Sequence, residues 1–166
     1  AIGVESGNQE ILNRIKKGIS LKQIEYVFGY AKSIGLETWA FFILGLPGEK
    51  KETIMETINF AKKLNPDVAK FHILKPYPKT EVYDELKNKG LLLTTNFSEY
   101  GIHTPPVHKL LDLTADEILE WQKIAYRKFY FRPKKIIQQI LRLKSTNRLK
   151  LNMLVGFAFL RRLFSI

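Results

Sequence analysis

Ala31-Lys32-Ser33-Ile34-Gly35-Leu36-Glu37-Thr38-Trp39-Ala40-Phe41-Phe42-Ile43-Leu44 is followed, thirty residues along, by Ala61-Lys62-Lys63-Leu64-Asn65-Pro66-Asp67-Val68-Ala69-Lys70-Phe71-His72-Ile73-Leu74. Without a gap, Ala31 falls on Ala61, Lys32 on Lys62, Ile34 on Leu64, Glu37 on Asp67, Phe41 on Phe71, Ile43 on Ile73 and Leu44 on Leu74. Each copy closes an amphipathic helix, stops it at Gly35 or Asn65-Pro66, runs through a short apolar stretch rich in strand formers, and enters a Gly/Pro loop. That is one β/α unit seen twice.

Working outward, Ser20 with Gln23 forms a capping box, and Leu21, Ile24, Val27, Phe28, Ala31 and Ile34 follow at helical spacing up to Gly35. A second helix over about 52–64 aligns Ile54, Ile58, Ala61 and Leu64, and a third over about 81–89 stops at Gly90. The runs 2–4, 39–44 and 68–74 read as strands, the last two apolar enough to be covered on both faces. Alternation of this kind implies an α/β fold with parallel strands and right-handed crossovers. Three strands leave an open edge and a half-covered core, so the chain is expected to be the C-terminal part of a larger barrel or sheet; the alternative is a complete small three-strand domain. Beyond Gly90 the character changes. Residues 91–113 hold Thr, Asn, Ser, Gly101 and Pro105-Pro106, a linker or irregular loop. Thr114 with Glu117 opens a helix through about Tyr130, Arg132-Pro133 breaks it and starts another through about Lys144, and 147–166 is expected to be helical too. The expected division is 1–93, 94–113 and 114–166.

The 166 residues are 45% hydrophobic and 26% charged, which suits one folded domain and excludes disorder and collagen-like structure. Zero cysteines remove any disulfide framework, Cys-ligated zinc or iron–sulfur cluster held by this chain's own thiolates. The formal charge of +11 is uneven: residues 1–120 carry 15 Lys and Arg against 16 Asp and Glu, while 121–166 carry 12 Lys and Arg and no carboxylate. Ala1-Ile2-Gly3-Val4 has neither the charged nor the apolar part of a leader, and the apolar run 153–160 is about half the length that crosses a bilayer. A cytoplasmic protein, peripheral to the membrane at most, is expected. In the basic region, Tyr126, Arg127, Lys128, Phe129, Tyr130, Phe131 and Arg132 interleave aromatics with cations. Three readings stay open there: a packed face with solvated cations, an anionic membrane surface with Phe157, Phe159, Leu160 and Phe164 inserted, and, least favoured, RNA.

In parallel β/α folds, chemistry gathers where strand C-termini meet loops. Three loops qualify here: Glu5-Ser6-Gly7, Gly45-Leu46-Pro47-Gly48-Glu49 and Lys75-Pro76-Tyr77-Pro78-Lys79-Thr80. Glu5, Ser6 and Glu49 could bind ribose hydroxyls or an amine, and the glycines permit close backbone approach, which suits a nucleoside with a charged amino acid end. On the pattern alone the plainer reading also stands: the glycines make the turn, Glu49 caps the next helix through its dipole, and Glu5 is solvated. His72 could face a barrel interior. His103 and His108 flank Pro105-Pro106 with no carboxylate partner at metal spacing, and no metal is assigned.

Taken together and in order, Gly3-Val4-Glu5-Ser6-Gly7, Ile43-Leu44-Gly45-Leu46-Pro47-Gly48-Glu49 and Pro76-Tyr77-Pro78-Lys79-Thr80 leading into Tyr83 resemble the second half of radical S-adenosylmethionine (radical SAM) enzymes, most closely the group with a cobalamin-binding domain. The resemblance covers residues 1 to about 93. It implies the C-terminal half of a partial (β/α) TIM-like barrel, with the fourth, fifth and sixth of six units present. It also implies that Glu5 and Ser6 meet the ribose and amino acid portion of S-adenosylmethionine, that Ile43, Gly45, Gly48 and Glu49 lie beside the adenine, and that Leu74, Lys75 and Pro76 contact the adenine through their backbone. Phe41 departs from the family's usual Gly, Lys75 from a small or neutral residue, and Lys79 from Gly. The Cys-x-x-x-Cys-x-x-Cys loop that holds the family's 4Fe-4S cluster is absent. The chain is therefore expected to be a fragment of a radical enzyme, inactive alone, whose partners are the cofactor and the missing N-terminal half; the cluster and cobalamin belong to the full-length parent, and no catalytic residue is assigned here.

Overall fold

Three short apolar runs form the sheet: β1 (Ile2–Glu5), β2 (Trp39–Leu44) and β3 (Val68–Ile73) lie in that order, all parallel, in a computed structural model that describes residues 1–141. Between them run α1 (Gln9–Arg14), α2 (Leu21–Ser33) and α3 (Lys51–Leu64); α4 (Glu81–Asn88), α5 (Ala115–Tyr130) and α6 (Pro133–Leu141) follow β3. The α/β class with a three-strand parallel sheet agrees with the sequence reading and with part of a TIM-like barrel.

The caps explain the helix limits. Ser20 and Gln23 satisfy each other's backbone N–H at the start of α2, as Thr114 and Glu117 do before α5. Asn8 caps α1 by accepting the Ile11 N–H at 2.9 Å. Asn65 ends α3 in the left-handed region at φ 46°, where Pro66 forbids continuation.

One pleat of the sheet is the core. Ala40, Phe42 and Leu44 on β2 and Ala69 and Phe71 on β3 are fully buried, as are Ile24 and Phe28 of α2 and Ile54, Ile58 and Ala61 of α3. Burial of each large side chain contributes roughly 1.5–3 kcal/mol. Phe42 is the register partner of Phe71, and their rings stack at 5.1 Å. The sheet thus pairs residues 29 apart, whereas the sequence repeat is 30; Phe41 and Phe71, equivalent in the repeat, therefore point to opposite faces. The other pleat carries Trp39, Phe41, Ile43, Lys70 and His72 and stays partly exposed.

The outer edge of β3 is closed by side chains of α5. Phe71 N–H donates to Tyr126 Oη at 3.1 Å, and Gln122 Nε2 donates to the Phe71 carbonyl at 2.7 Å. Residues 91–113, although irregular, are folded firmly in place. Leu93 N–H donates to Val107 O and Lys109 N–H to Leu91 O, so that Leu92 and His108 form an antiparallel bridge, and Leu91, Tyr100, Val107, Leu110 and Leu113 are buried. By compactness the chain divides at Tyr126/Arg127, whereas the sequence changes character at Gly90 and Thr114. In the unit that begins at Arg127, the Arg132 guanidinium and the Lys135 ammonium lie 4.6 and 5.1 Å from the Phe129 ring centre. No described helix is long and apolar enough to cross a membrane. The expected helix over 147–166, and the lipid-inserting residues within it, lie outside the described residues.

Candidate functional site

All three strands run the same way, so their C-terminal ends, and the loops read as the site, share one edge of the sheet. At the end of β1 the pairing with β2 shifts between Gly3 and Glu5, and Glu5 takes a φ of 66°. Its side chain folds back over Gly3: a Cβ at Gly3 would stand 2.4 Å from Glu5 Oε1. There the carboxylate pairs with Lys17 Nζ at 2.9 Å. Ser6 is fully buried, with its hydroxyl 3.1 Å from Thr57 Oγ1. Thr57 Oγ1 also accepts the Gly7 N–H at 2.9 Å. This ties the end of β1 to the middle of α3.

At the end of β2, Gly45 adopts φ 84°, a conformation that favours glycine, and the chain turns sharply. Glu49 is 2% exposed, and its Oε2 accepts both the Gly45 N–H at 2.7 Å and the Leu46 N–H at 3.0 Å. Its Oε1 is buried without a hydrogen-bond partner among the described residues. Burial pushes the Glu49 carboxyl up to about 7, against the two backbone N–H bonds, which favour the charged form. On the other side of the same residue, His108 Nε2 lies 2.8 Å from the Gly45 carbonyl. The carbonyl can only accept, so Nε2 carries the proton and Nδ1 is bare, buried and unpartnered among the described residues. Burial lowers the His108 pKa, the Gly45 carbonyl raises it, and the charge of Lys75 lowers it again. Pro47 is buried and Gly48 exposed, so the turn presents one backbone segment outward.

The end of β3 is locked to β2 where Leu74 N–H donates to Leu44 O at 2.9 Å. The Lys75 ammonium reaches the 99–105 loop, donating to Pro105 O at 2.5 Å and Thr104 Oγ1 at 3.0 Å, and its pKa is lowered by burial. Pro76 is buried. Ile43 stands beside His72 on the partly exposed pleat, and His72 stacks on Phe41 at 6.1 Å. Burial first, then Lys70 and His103, lower the His72 pKa, and Glu5 opposes them.

The sequence-chosen residues thus gather at one edge with different duties. Glu5 offers a carboxylate on the partly exposed side and Ile43 an apolar surface. Ser6 is engaged with Thr57 of α3, Glu49 Oε2 with the Gly45 turn and Lys75 with the 99–105 loop. Lys17, Thr57 and His108 join the site without having been singled out for it. Lys17 and Thr57 are ordinary surface-helix types in sequence. His108 reaches Gly45 across 63 positions, a separation that no local pattern encodes. The arrangement does not suit an iron–sulfur cluster, because the chain has no cysteine and no group of three metal-holding side chains stands together among the described residues.

The family model of the Radical SAM superfamily matches residues 1–61. An uncharacterized methyltransferase of Pyrococcus horikoshii is 41% identical over 138 residues, 83% of this chain and 30% of that protein. An anaerobic magnesium-protoporphyrin IX monomethyl ester cyclase of Rubrivivax gelatinosus is 30% identical over 78% of this chain and 23% of its own length. A bacteriochlorophyllide d C-8(2)-methyltransferase of Chlorobaculum tepidum is 25% identical over 83% of this chain and 33% of its own. The chain spans about a third or less of these relatives. With the parallel β/α units, the three strand-end motifs and these matches together, the chain belongs to the radical SAM superfamily of enzymes.

Proposed function

We propose that these residues form the second half of an S-adenosylmethionine-binding mouth in a radical SAM enzyme whose cluster thiolates come from outside this chain. The observation that carries the reading is the convergence of Glu5, the Gly45–Glu49 turn and Leu74 on one edge of a parallel sheet, beside a partly exposed apolar pleat. In this reading the Glu5 carboxylate meets the ribose or the amine of the cofactor, exchanging its bond to Lys17, and Ser6 fixes that edge through Thr57. Ile43, Gly45 and Gly48 lie beside the adenine, with Glu49 holding the turn from inside. Leu74, Lys75 and Pro76 offer backbone, and the Lys75 ammonium is engaged with the 99–105 loop. Bound S-adenosylmethionine, with a reduced 4Fe-4S cluster, supplies the radical or methyl-transfer chemistry; the present residues bind and orient it.

The methyltransferase and cyclase names of the relatives support a parent that performs radical chemistry or methyl transfer, and the resemblance of the strand-end motifs suggests cobalamin as its aid in the second case. The uneven charge, with every excess cation in 121–166, supports peripheral contact of the parent with an anionic surface in the cytoplasm. The chain by itself is inactive in this account. Titration of the isotope-labelled chain with S-adenosylmethionine tests the binding claim: backbone shifts should concentrate at Glu5, 43–48 and 74–76. Shifts centred at the opposite ends of the strands, near Thr38 and Asp67, would overturn it, as would no response at millimolar cofactor.

A further inference from the structure

We infer that His108 is a positioning residue of this mouth, holding the Gly45 turn in the shape that meets the cofactor. The inference rests on the reading of the turn as cofactor-facing. Gly45 is buried, so its carbonyl needs a partner inside the protein, and the imidazole supplies it at 2.8 Å. The fit is close, since a Cβ on Gly45 would stand 3.0 Å from His108 Nε2. The Gly45 N–H is held from the other side by Glu49, so both polar groups of the pivot are fixed by buried side chains. The preceding carbonyl, on Leu44, accepts from Leu74 N–H, which extends the hold to the end of β3. His108 is itself fixed by its bridge to Leu92, where the Leu93–Val107 and Lys109–Leu91 hydrogen bonds lie on either side.

Packing does not explain the residue type. A leucine would fill the space without burying a bare nitrogen, and Nδ1 is a polar atom with no partner among the described residues. What the imidazole adds over leucine is one N–H directed at Gly45. The segment around His108 lies outside the family match at 1–61, so it ties a later part of the chain to the cofactor edge.

The test compares His108→Leu, His108→Asn and His108→Gln in the full 166-residue chain. A glutamine amide can place an N–H where Nε2 stands; an asparagine amide is too short. Amide hydrogen exchange at Gly45, Leu46 and Glu49 should accelerate about tenfold in the Leu and Asn variants, the effect of losing one neutral hydrogen bond. It should return to within about threefold of wild type in the Gln variant, while amides of α2 and β3 stay unchanged. Affinity for S-adenosylmethionine should fall and recover in the same order. Uniform acceleration across the fold, or no change at 45–49, overturns the inference. If the wild type binds no S-adenosylmethionine while exchange follows the stated order, the cofactor reading fails and the positioning of the turn stands.

Discussion

Glu49→Gln should abolish a pH dependence of stability that the wild-type fold carries. The carboxyl ionises near its ordinary 4.5 in the unfolded chain and at about 7 in the fold, because 2% exposure removes the water that would solvate the anion. The folded value is the higher one, so the protonated form is favoured by folding. That contribution is full below about pH 4.5, declines as pH rises from there through about 7, and is gone above it. At about 1.4 kcal/mol for each tenfold change in proton affinity, the ionised side chain costs about 3 kcal/mol at pH 8 relative to pH 4. Glutamine can still accept the Gly45 and Leu46 N–H groups, and it leaves a buried NH2 where Oε1 stood. That NH2 carries a penalty of about 1–3 kcal/mol that does not vary with pH. The assay is urea unfolding of both chains at intervals from pH 4.5 to 8.5. Other titrating groups cancel in the difference between the two. The stability of wild type minus variant should fall by about 3 kcal/mol across the range, most steeply between about 5 and 7. A difference constant to about 0.5 kcal/mol would refute the claim that this carboxylate is buried in the turn.

Lys79 holds a φ of 67°, so Lys79→Gly should raise stability by about 0.5–1 kcal/mol, read as a higher urea midpoint, since relief of left-handed strain exceeds the added freedom of the unfolded chain. A Cβ on Gly7 would lie 2.5 Å from Phe60 Cβ and 2.6 Å from Thr57 Cα, so Gly7→Ala should cost about 2–3 kcal/mol in the same assay. Tyr126→Phe removes the acceptor of the Phe71 N–H; stability should fall by about 1 kcal/mol, and exchange at the Phe71 amide should quicken while that at Phe42 does not.

The fold was readable because its signals are local. Ser20 with Gln23 and Thr114 with Glu117 sit three residues apart, and the structure forms both boxes. The thirty-residue repeat located the β/α units but not their register: the sheet aligns Phe42 with Phe71, because the pleat must bury Ala40, Phe42 and Leu44 on the side of Ala69 and Phe71. Within the site, the plainer reading had Glu49 capping the next helix through its dipole, whereas its carboxylate turns back to the Gly45 and Leu46 N–H groups of the preceding turn. Its enclosure was not legible either, because burial depends on the whole fold. The bonds from Ser6 to Thr57 and from His108 to Gly45 span 51 and 63 residues, and Lys75 reaches a loop about thirty residues on. No helical or strand period encodes such pairs. Lys79 is an intermediate case: the resemblance marks the position as one where Gly is usual, and the positive φ gives the reason.

Expression of this chain alone and of the longer polypeptide encoded with its upstream sequence, each reconstituted anaerobically with iron and sulfide, tests the central claim most directly. The account predicts an in-frame Cys-x-x-x-Cys-x-x-Cys upstream, iron–sulfur absorbance and S-adenosylmethionine cleavage in the longer polypeptide, and neither absorbance nor cleavage in the 166 residues by themselves. Cluster formation or turnover by the chain alone, or a longer polypeptide without the three cysteines, would contradict it.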